Sequence, residues 1–248
     1  MPESGQAWTT LAELAADRRP DVREDEGILG VGVEPAVGIG QRALLVPLAG
    51  GPNLMWDCVP LVSDELAQAV ADAGGLAGIA ISHPHFHSTM AEWAHRFDCP
   101  VYLHAADRPW VMRPDPALEL WEGETREIEP GLTLVRAGGH FPGGTVLHWA
   151  EGPDGTGALL AGDIVMVIPD RGWVSFMWSY PNLIPLGEAD MRAVAAAVAP
   201  YDFERIYAAW WGRVVPEGGA VKVRRSAERY ARALRGEYPA PPEGARGR

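Results

Sequence analysis

The chain has 248 residues, 47% of them apolar and 22% charged, enough to bury one sizeable core, and its net charge is −12. That charge repels phosphate backbones and anionic membrane surfaces, which excludes nucleic acid and membrane as partners and leaves a small-molecule substrate as the expectation. Cys58 and Cys99 are too few for a disulfide framework, and no run of eighteen apolar residues occurs, so a reducing, cytoplasmic setting is expected.

Residues 1–26 read as an N-terminal arm, polar and charged throughout, without an apolar signal core and with one short helical stretch at 9–16. The domain is expected to begin at Gly27 and to run to 236. Alternating apolar patterns at 27–33, 41–48 and 53–58, divided by Gly and Pro turns, predict an antiparallel meander. Ser63-Asp64-Glu65 opens a helix with acids at the positive end of its dipole, and Gly74-Gly75 stops it. A strand at 76–81 follows.

That strand delivers the chain to Ser82-His83-Pro84-His85-Phe86-His87-Ser88, which holds three of the seven histidines. In extended backbone, side chains at i and i+2 fall on one side, so two imidazoles can grip one ion; the alternative is a histidine-rich surface loop. Thr89-Met90-Ala91-Glu92 has capping-box spacing and predicts a helix to Phe97 that starts beside the histidines. Strands are predicted at 99–103, 125–128, 132–137, 145–149 and 158–165, with the proline-containing stretch 108–116 as loop. Met191, Val194, Ala195 and Val198 keep helical spacing until Pro200, as do Val223, Ala227, Tyr230 and Leu234 in the last helix. The basic residues of that helix read as a solvated face, and 237–248 as a flexible tail. Strands and helices in both halves predict an α+β layered sandwich with helices outside.

Two later positions complete the histidine loop. His140 stands in Gly138-Gly139-His140-Phe141-Pro142-Gly143-Gly144 directly after a strand, and Asp163 follows the apolar run 158–161. Taken singly, each reads as an ordinary turn residue. In this order, His83, His85, His140 and Asp163 resemble the metallo-β-lactamase superfamily, whose signature is HxHxDH, a histidine in a Gly-rich turn and an Asp after an apolar strand. Asn53-Leu54-Met55-Trp56-Asp57 looks like that family's early strand ending in an Asp near the site. The resemblance implies a four-layer αββα sandwich, a metal site at one edge between the sheets, and in most members hydrolysis of esters, lactams, thioesters or phosphodiesters. It implies His83, His85, His140 and Asp163 as ligands, and Asp57 as an acceptor that orients a ligand imidazole.

The chain departs from the pattern at three places. His87 replaces the Asp of HxHxDH, Ser88 replaces its last His, and Trp210-Trp211-Gly212-Arg213 stands where the family's final His is expected. These changes leave the first metal position with its ligands and thin out the second, so one tightly held zinc is expected, with iron or manganese as other ions and a second ion weak or absent. His87 is assigned as a proton shuttle or an added ligand, and Asp163 as fourth ligand or water-orienting group. Trp173, Trp178 and Tyr180 are read as a lid or pocket wall, with core or a homodimer interface as the alternative. Trp211, with Trp210, is read as filling the vacated second-metal space. The expected function is a mononuclear metallo-hydrolase. The competing readings are an iron oxidoreductase of the persulfide dioxygenase type and a non-catalytic binding protein that kept the fold.

Overall fold

The computed structural model describes residues 7–238. Helix α1 (Leu11–Asp17) comes first, its start closed by a capping box between Thr10 and Glu13. Strand β1 (Arg19–Asp25) then pairs antiparallel with β2 (Ile28–Glu34) around a turn at Glu26-Gly27. This corrects the expectation of an arm ending at 26, since residues 19–25 are the edge strand of the first sheet. Val22 is its one aliphatic residue among charges. An edge strand with a solvated face needs little apolar content, and its charges deter edge-to-edge association, so apolar alternation gives no signal there. The tail expected at 237–248 lies, from 239 onward, outside the described residues.

The first sheet continues in sequence order through β3 (Ala43–Pro47), β4 (Asn53–Trp56), β5 (Leu76–Ala80), β6 (Val101–His104) and β7 (Leu118–Trp121). Strands β1 to β4 are antiparallel, and β4 to β7 run parallel. Parallel neighbours need crossovers, and helices α2 (Asp64–Asp72) and α3 (Met90–Phe97) supply the first two. The capping-box spacing at the start of α3 is not used: the Thr89 hydroxyl donates instead to the Val59 carbonyl at 2.7 Å, which ties the helix to the loop after β4.

The second half builds β8 (Thr125–Glu129), β9 (Leu132–Arg136), β10 (Thr145–Trp149) and β11 (Ala158–Gly162), followed by two short hairpins, β12 (Met166–Val167) with β13 (Val174–Ser175) and β14 (Met177–Ser179) with β15 (Ile184–Pro185). Helix α4 (Glu188–Val198), β16 (Arg205–Ala208), β17 (Val214–Val215) and α5 (Gly219–Leu234) complete it. The second sheet has the order β17-β16-β11-β10-β9-β8.

Three apolar clusters define four layers. Along β3, Ala43 and Leu45 face one side, among Leu66 and Val70 of α2 and Trp93 of α3, while Leu44 and Val46 face the other. Along β11, Ala158 and Leu160 meet Leu44, Leu54 and Trp56 between the sheets, whereas Leu159 and Ala161 pack with Val194 of α4 and Val223 of α5. Such strands are apolar on both faces because a helix layer and a sheet layer cover them. Each fully buried aliphatic side chain contributes roughly 1.5–3 kcal/mol to holding the layers together. The fold is therefore an α+β, four-layer αββα sandwich. Among the described residues no helix is long and apolar enough to cross a membrane.

Candidate metal centre

Three strand ends bring the site together at one edge of the two sheets. Beyond β5 the Ser82 amide donates to Asp57 Oδ1 at 2.8 Å, which anchors the histidine loop to the residue following β4. Pro84–Phe86 then form a single 3-10 turn between His83 and His87. Beyond β9, residues 137–144 double back, with the Ala137 and Gly138 amides both donating to the Gly144 carbonyl at 2.7 and 2.8 Å. The Thr145 amide donates to the Ser82 carbonyl at 2.8 Å, so the two histidine-bearing loops are joined directly. Gly139 has to be small, because a Cβ there would lie 2.8 Å from Val194 Cγ2 of α4.

Asp163 enters from the end of β11. Gly162 before it has φ of +55°, and a Cβ on it would lie 2.6 Å from Ser82 Oγ. The close approach of these two backbones depends on the missing side chain.

His83 Nε2 lies 3.3 Å from His85 Nδ1 and 3.1 Å from Asp163 Oδ1, and His140 Nε2 lies 3.2 Å from His85 Nδ1. Four donors set tetrahedrally about 2.0 Å from one zinc would be separated by about 3.3 Å along each edge. These three spacings match that edge, and all four donor atoms lie within 4.8 Å of one another. Asp163 Oδ1 is buried and has no hydrogen-bond partner among the described residues. A buried carboxylate oxygen left so would be costly, and a cation at the convergence point satisfies it. The residues present thus fit a divalent ion.

The electrostatics agree. Burial, and then the neighbouring His140, His85 and His87, hold His83 well below the usual imidazole range. Burial, with His85 nearby, holds His140 at about 4, so both rings are neutral at pH 7 and keep lone pairs for ligation. Burial pushes Asp163 up to about 8, helped by the charge of Asp57, which burial itself pushes to about 7. His83 Nδ1 lies 3.0 Å from Ser82 Oγ, whose neighbour on the other side is Asp57. Asp57 thus reaches the ligand imidazole through Ser82 rather than directly.

Other expected site residues are placed differently. His87 is not one of the four converging groups; its ring N–H faces the Trp110 carbonyl, and burial lowers it to about 4. Trp178 lines the cavity beside His85 and His140. Tyr180 lies against the His140 ring at 5.6 Å and donates its hydroxyl to the Asp163 carbonyl. Trp173, expected as pocket wall, and Trp211, expected in the second-metal space, do not line the cavity. Trp173 is clamped by Arg225 and Arg229 of α5, each 4.3 Å from its ring, so the basic helix is not merely solvated. Trp211 lies over Gly30 and Gly32 of β2 with Arg23 4.4 Å from its ring centre. Glycine seats and guanidinium partners draw these indoles away from the site.

Two contributors escaped sequence reading. Asp107 is buried and accepts the Gly143 amide at 2.7 Å, which hooks the His140 loop to the 3-10 segment Ala105–Trp110. The fully buried Arg42 donates to Asp25 at 2.9 Å and to the Ala208 carbonyl at the end of β16. Neither stands in a recognisable local motif.

No protein-family model matches the chain. YmaE of Bacillus subtilis (strain 168), an uncharacterized protein, is 44% identical over 236 residues, spanning 94% of this chain and 85% of YmaE. Several solved structures similar to this chain are metallo-β-lactamases. A B3 enzyme with an active-site glutamic acid superimposes with a TM-score of 0.58 at 17% identity over 88% of this chain and 89% of that one. The chain belongs to the family of YmaE and has the metallo-β-lactamase fold. The Rm3 metallo-β-lactamase gives 0.56 at 18% identity, covering 93% of this chain and 97% of its own. A HARLDQ-motif mutant of the enzyme from Cronobacter sakazakii gives 0.54 at 17% identity, covering 90% and 99%. Within this fold the four donors stand in the chain order that the histidine signature implies.

Proposed function

We propose that this member of the YmaE family is a metal-dependent hydrolase that holds one zinc ion tightly and cleaves an ester, lactone, thioester or phosphodiester. The observation that carries this reading is the convergence, within 4.8 Å of one another, of His83 Nε2, His85 Nδ1, His140 Nε2 and Asp163 Oδ1, the last without a hydrogen-bond partner among the described residues, with three of the separations at 3.1–3.3 Å. A zinc ion in such a set acts as a Lewis acid and makes water acidic enough to serve as a nucleophile near neutral pH.

The chain's own groups do the rest. His83 and Asp163, both buried, form the floor, while the exposed His85 and half-buried His140 face the cavity from which substrate arrives. Asp57 and Ser82 fix the His83 ring with Nε2 turned inward. Tyr180 holds the backbone of Asp163, and His87 holds the loop carrying Trp110 against the site. His87 therefore supports the wall and is not assigned a ligand or shuttle role.

The test is elemental analysis of protein purified without added metal, followed by hydrolysis assays on ester, lactone, thioester and phosphodiester substrates. Near-stoichiometric zinc with turnover that a chelator abolishes is expected. Metal-free protein that takes up no zinc and turns over none of the four classes would overturn the proposal.

A further inference from the structure

The cavity beside the four donors has a lining that discriminates among those substrate classes. It encloses about 1100 Å³ and runs from His85 and His140 along the glycine loop to α4. That is enough for a drug-sized organic molecule. On one wall the Trp110 ring meets Phe141 edge-on at 5.1 Å, and Phe141 in turn lies 5.0 Å from both His85 and His140. Trp178, 56% exposed, and Pro181 belong to the β14–β15 side. Ala193, Ala196 and Ala197 of α4 offer methyl groups alone. The chain just after Trp110 and the β14–β15 hairpin carrying Trp178 also expose Met112, Leu183 and Ile184. Large exposed apolar surface of this kind marks a place where an apolar body is received.

Charge points the same way. Arg136 is the one cation among the lining residues, and it is engaged: Nε donates to the Pro142 carbonyl at 3.0 Å and Nη1 to Glu124 at 3.3 Å. Glu124 and Asp190 add negative charge to the wall of a chain that already carries −12. Among the described residues no free guanidinium or ammonium lines the cavity to receive a phosphate, and a polyanion approaching it meets repulsion. At the inner end the titratable lining groups are His85 and His140, which are committed as ligands. Among the described residues lining that end no side-chain acid stands beside His85 and His140 to protonate a departing amine, whereas an alkoxide leaves with less help.

We infer that the substrate of this centre is an uncharged carboxylic ester, open or cyclic, with an extended apolar acyl body lying between Phe141 and Trp178. The inference rests on the hydrolase reading above. In the reaction the oxygen of water bonds to the acyl carbon and the bond to the alkoxy oxygen breaks. One water proton leaves on the alcohol and the other with the carboxylic acid, so no oxidant or second substrate is required.

The experiment uses the zinc-loaded 248-residue chain with 4-nitrophenyl acetate, butyrate, hexanoate and octanoate against bis(4-nitrophenyl) phosphate. Each methylene fully buried is worth about fourfold in binding. The expected result is a rise in kcat/KM of about tenfold or more from acetate to octanoate, and a smaller enhancement over the uncatalysed rate for the phosphodiester. In parallel, the metal-free chain is titrated calorimetrically with 2-undecanone, a ketone of similar shape that cannot be hydrolysed. Its dissociation constant should rise about tenfold in Trp178→Ala and in Ala193→Glu, both changes at exposed positions that leave the core intact.

A chain-length series that is flat, or a phosphodiester enhancement above that of the esters, overturns the inference while leaving a hydrolase. Ketone binding that is lost in both variants without turnover of any ester supports the apolar cavity and removes the hydrolase reading instead. Concentration-dependent dimerisation with no ketone binding assigns the exposed apolar side chains to a second copy and overturns the inference.

Discussion

Zinc uptake by the metal-free chain should release a proton, and the structure says from where and over which pH range. Burial holds His83 and His140 neutral, so they have no proton to lose above pH 6. Asp163 is pushed to about 8, so at pH 7 it still holds a proton that must leave when the ion arrives. A group titrating there gives up about 0.9 proton per ion at pH 7 and about 0.1 at pH 9. The linked affinity rises about 50-fold between pH 6 and pH 8, equivalent to about 2.3 kcal/mol, and then levels off. Asp57, at about 7, adds to the release in the lower part of this window. The sign for folding follows from the same shift. Because the folded-state value lies above the ordinary carboxylate value, the metal-free chain is most stable at low pH in this respect and loses that contribution as pH rises through 8, until the ion restores it. Calorimetry in buffers of different ionisation enthalpy measures the proton count, and chelator competition from pH 6 to 9 measures the affinity. Asp163→Asn should flatten the upper part of the curve and weaken binding. A pH-independent affinity with no proton released at pH 7 would refute Asp163 as a ligand that begins protonated.

His87→Ala should keep its zinc content and hold zinc affinity within about threefold, by chelator competition, because its ring faces the Trp110 carbonyl and is not among the four donors. Asp107→Ala removes the acceptor for the Gly143 amide and should lower stability by about 1–3 kcal/mol in urea unfolding, with zinc affinity down about tenfold or more; Asp107→Asn, which keeps an acceptor oxygen, should restore most of both. Gly162→Ala sets a Cβ 2.6 Å from Ser82 Oγ at positive φ and should cost about 1–3 kcal/mol; a variant as stable as the parent would show that the two strand ends are not in contact.

The site was legible in sequence to the extent that its information is local. His83 and His85 are two residues apart, and the alternation by itself suggests a pair of ligands. His140 and Asp163 lie far along the chain, and each alone reads as a turn residue, so the family order had to join them to the pair. The strands covered on both faces were found because their apolar runs are dense, as in β3 and β11. β1 was missed because an edge strand carries charge in place of alternation, and β12 to β15 because two or three residues give no period to detect. Asp107 and Arg42 act through partners 36 and 166 residues away, a separation that no motif records. The destinations of Trp173 and Trp211 depend on arginines and glycines in distant elements, to which neither an aromatic run nor a position in the family order gives access.

Charge balance then decides how many ions such a site holds. The buried Arg42 guanidinium is paired with Asp25 at 2.8 Å, so that couple is neutral by itself. Of the buried carboxylates, Asp163 directly and Asp57 through Ser82 reach the ligand His83, whereas Asp107 is turned to the Gly143 amide, and the His83 and His140 imidazoles are neutral. One divalent ion against two carboxylates leaves no net charge. A second would leave +2 against the buried floor of His83 and Asp163, and no further carboxylate joins the four-donor group among the described residues. Uncompensated charge of that size in a buried site is strongly disfavoured. Zinc titration followed by elemental analysis should therefore give one equivalent bound, with any second equivalent held at least about 100-fold more weakly, a gap of about 2.7 kcal/mol. Two equivalents of matched affinity would mean that a group outside this balance, His87 first among them, turns inward when metal is present.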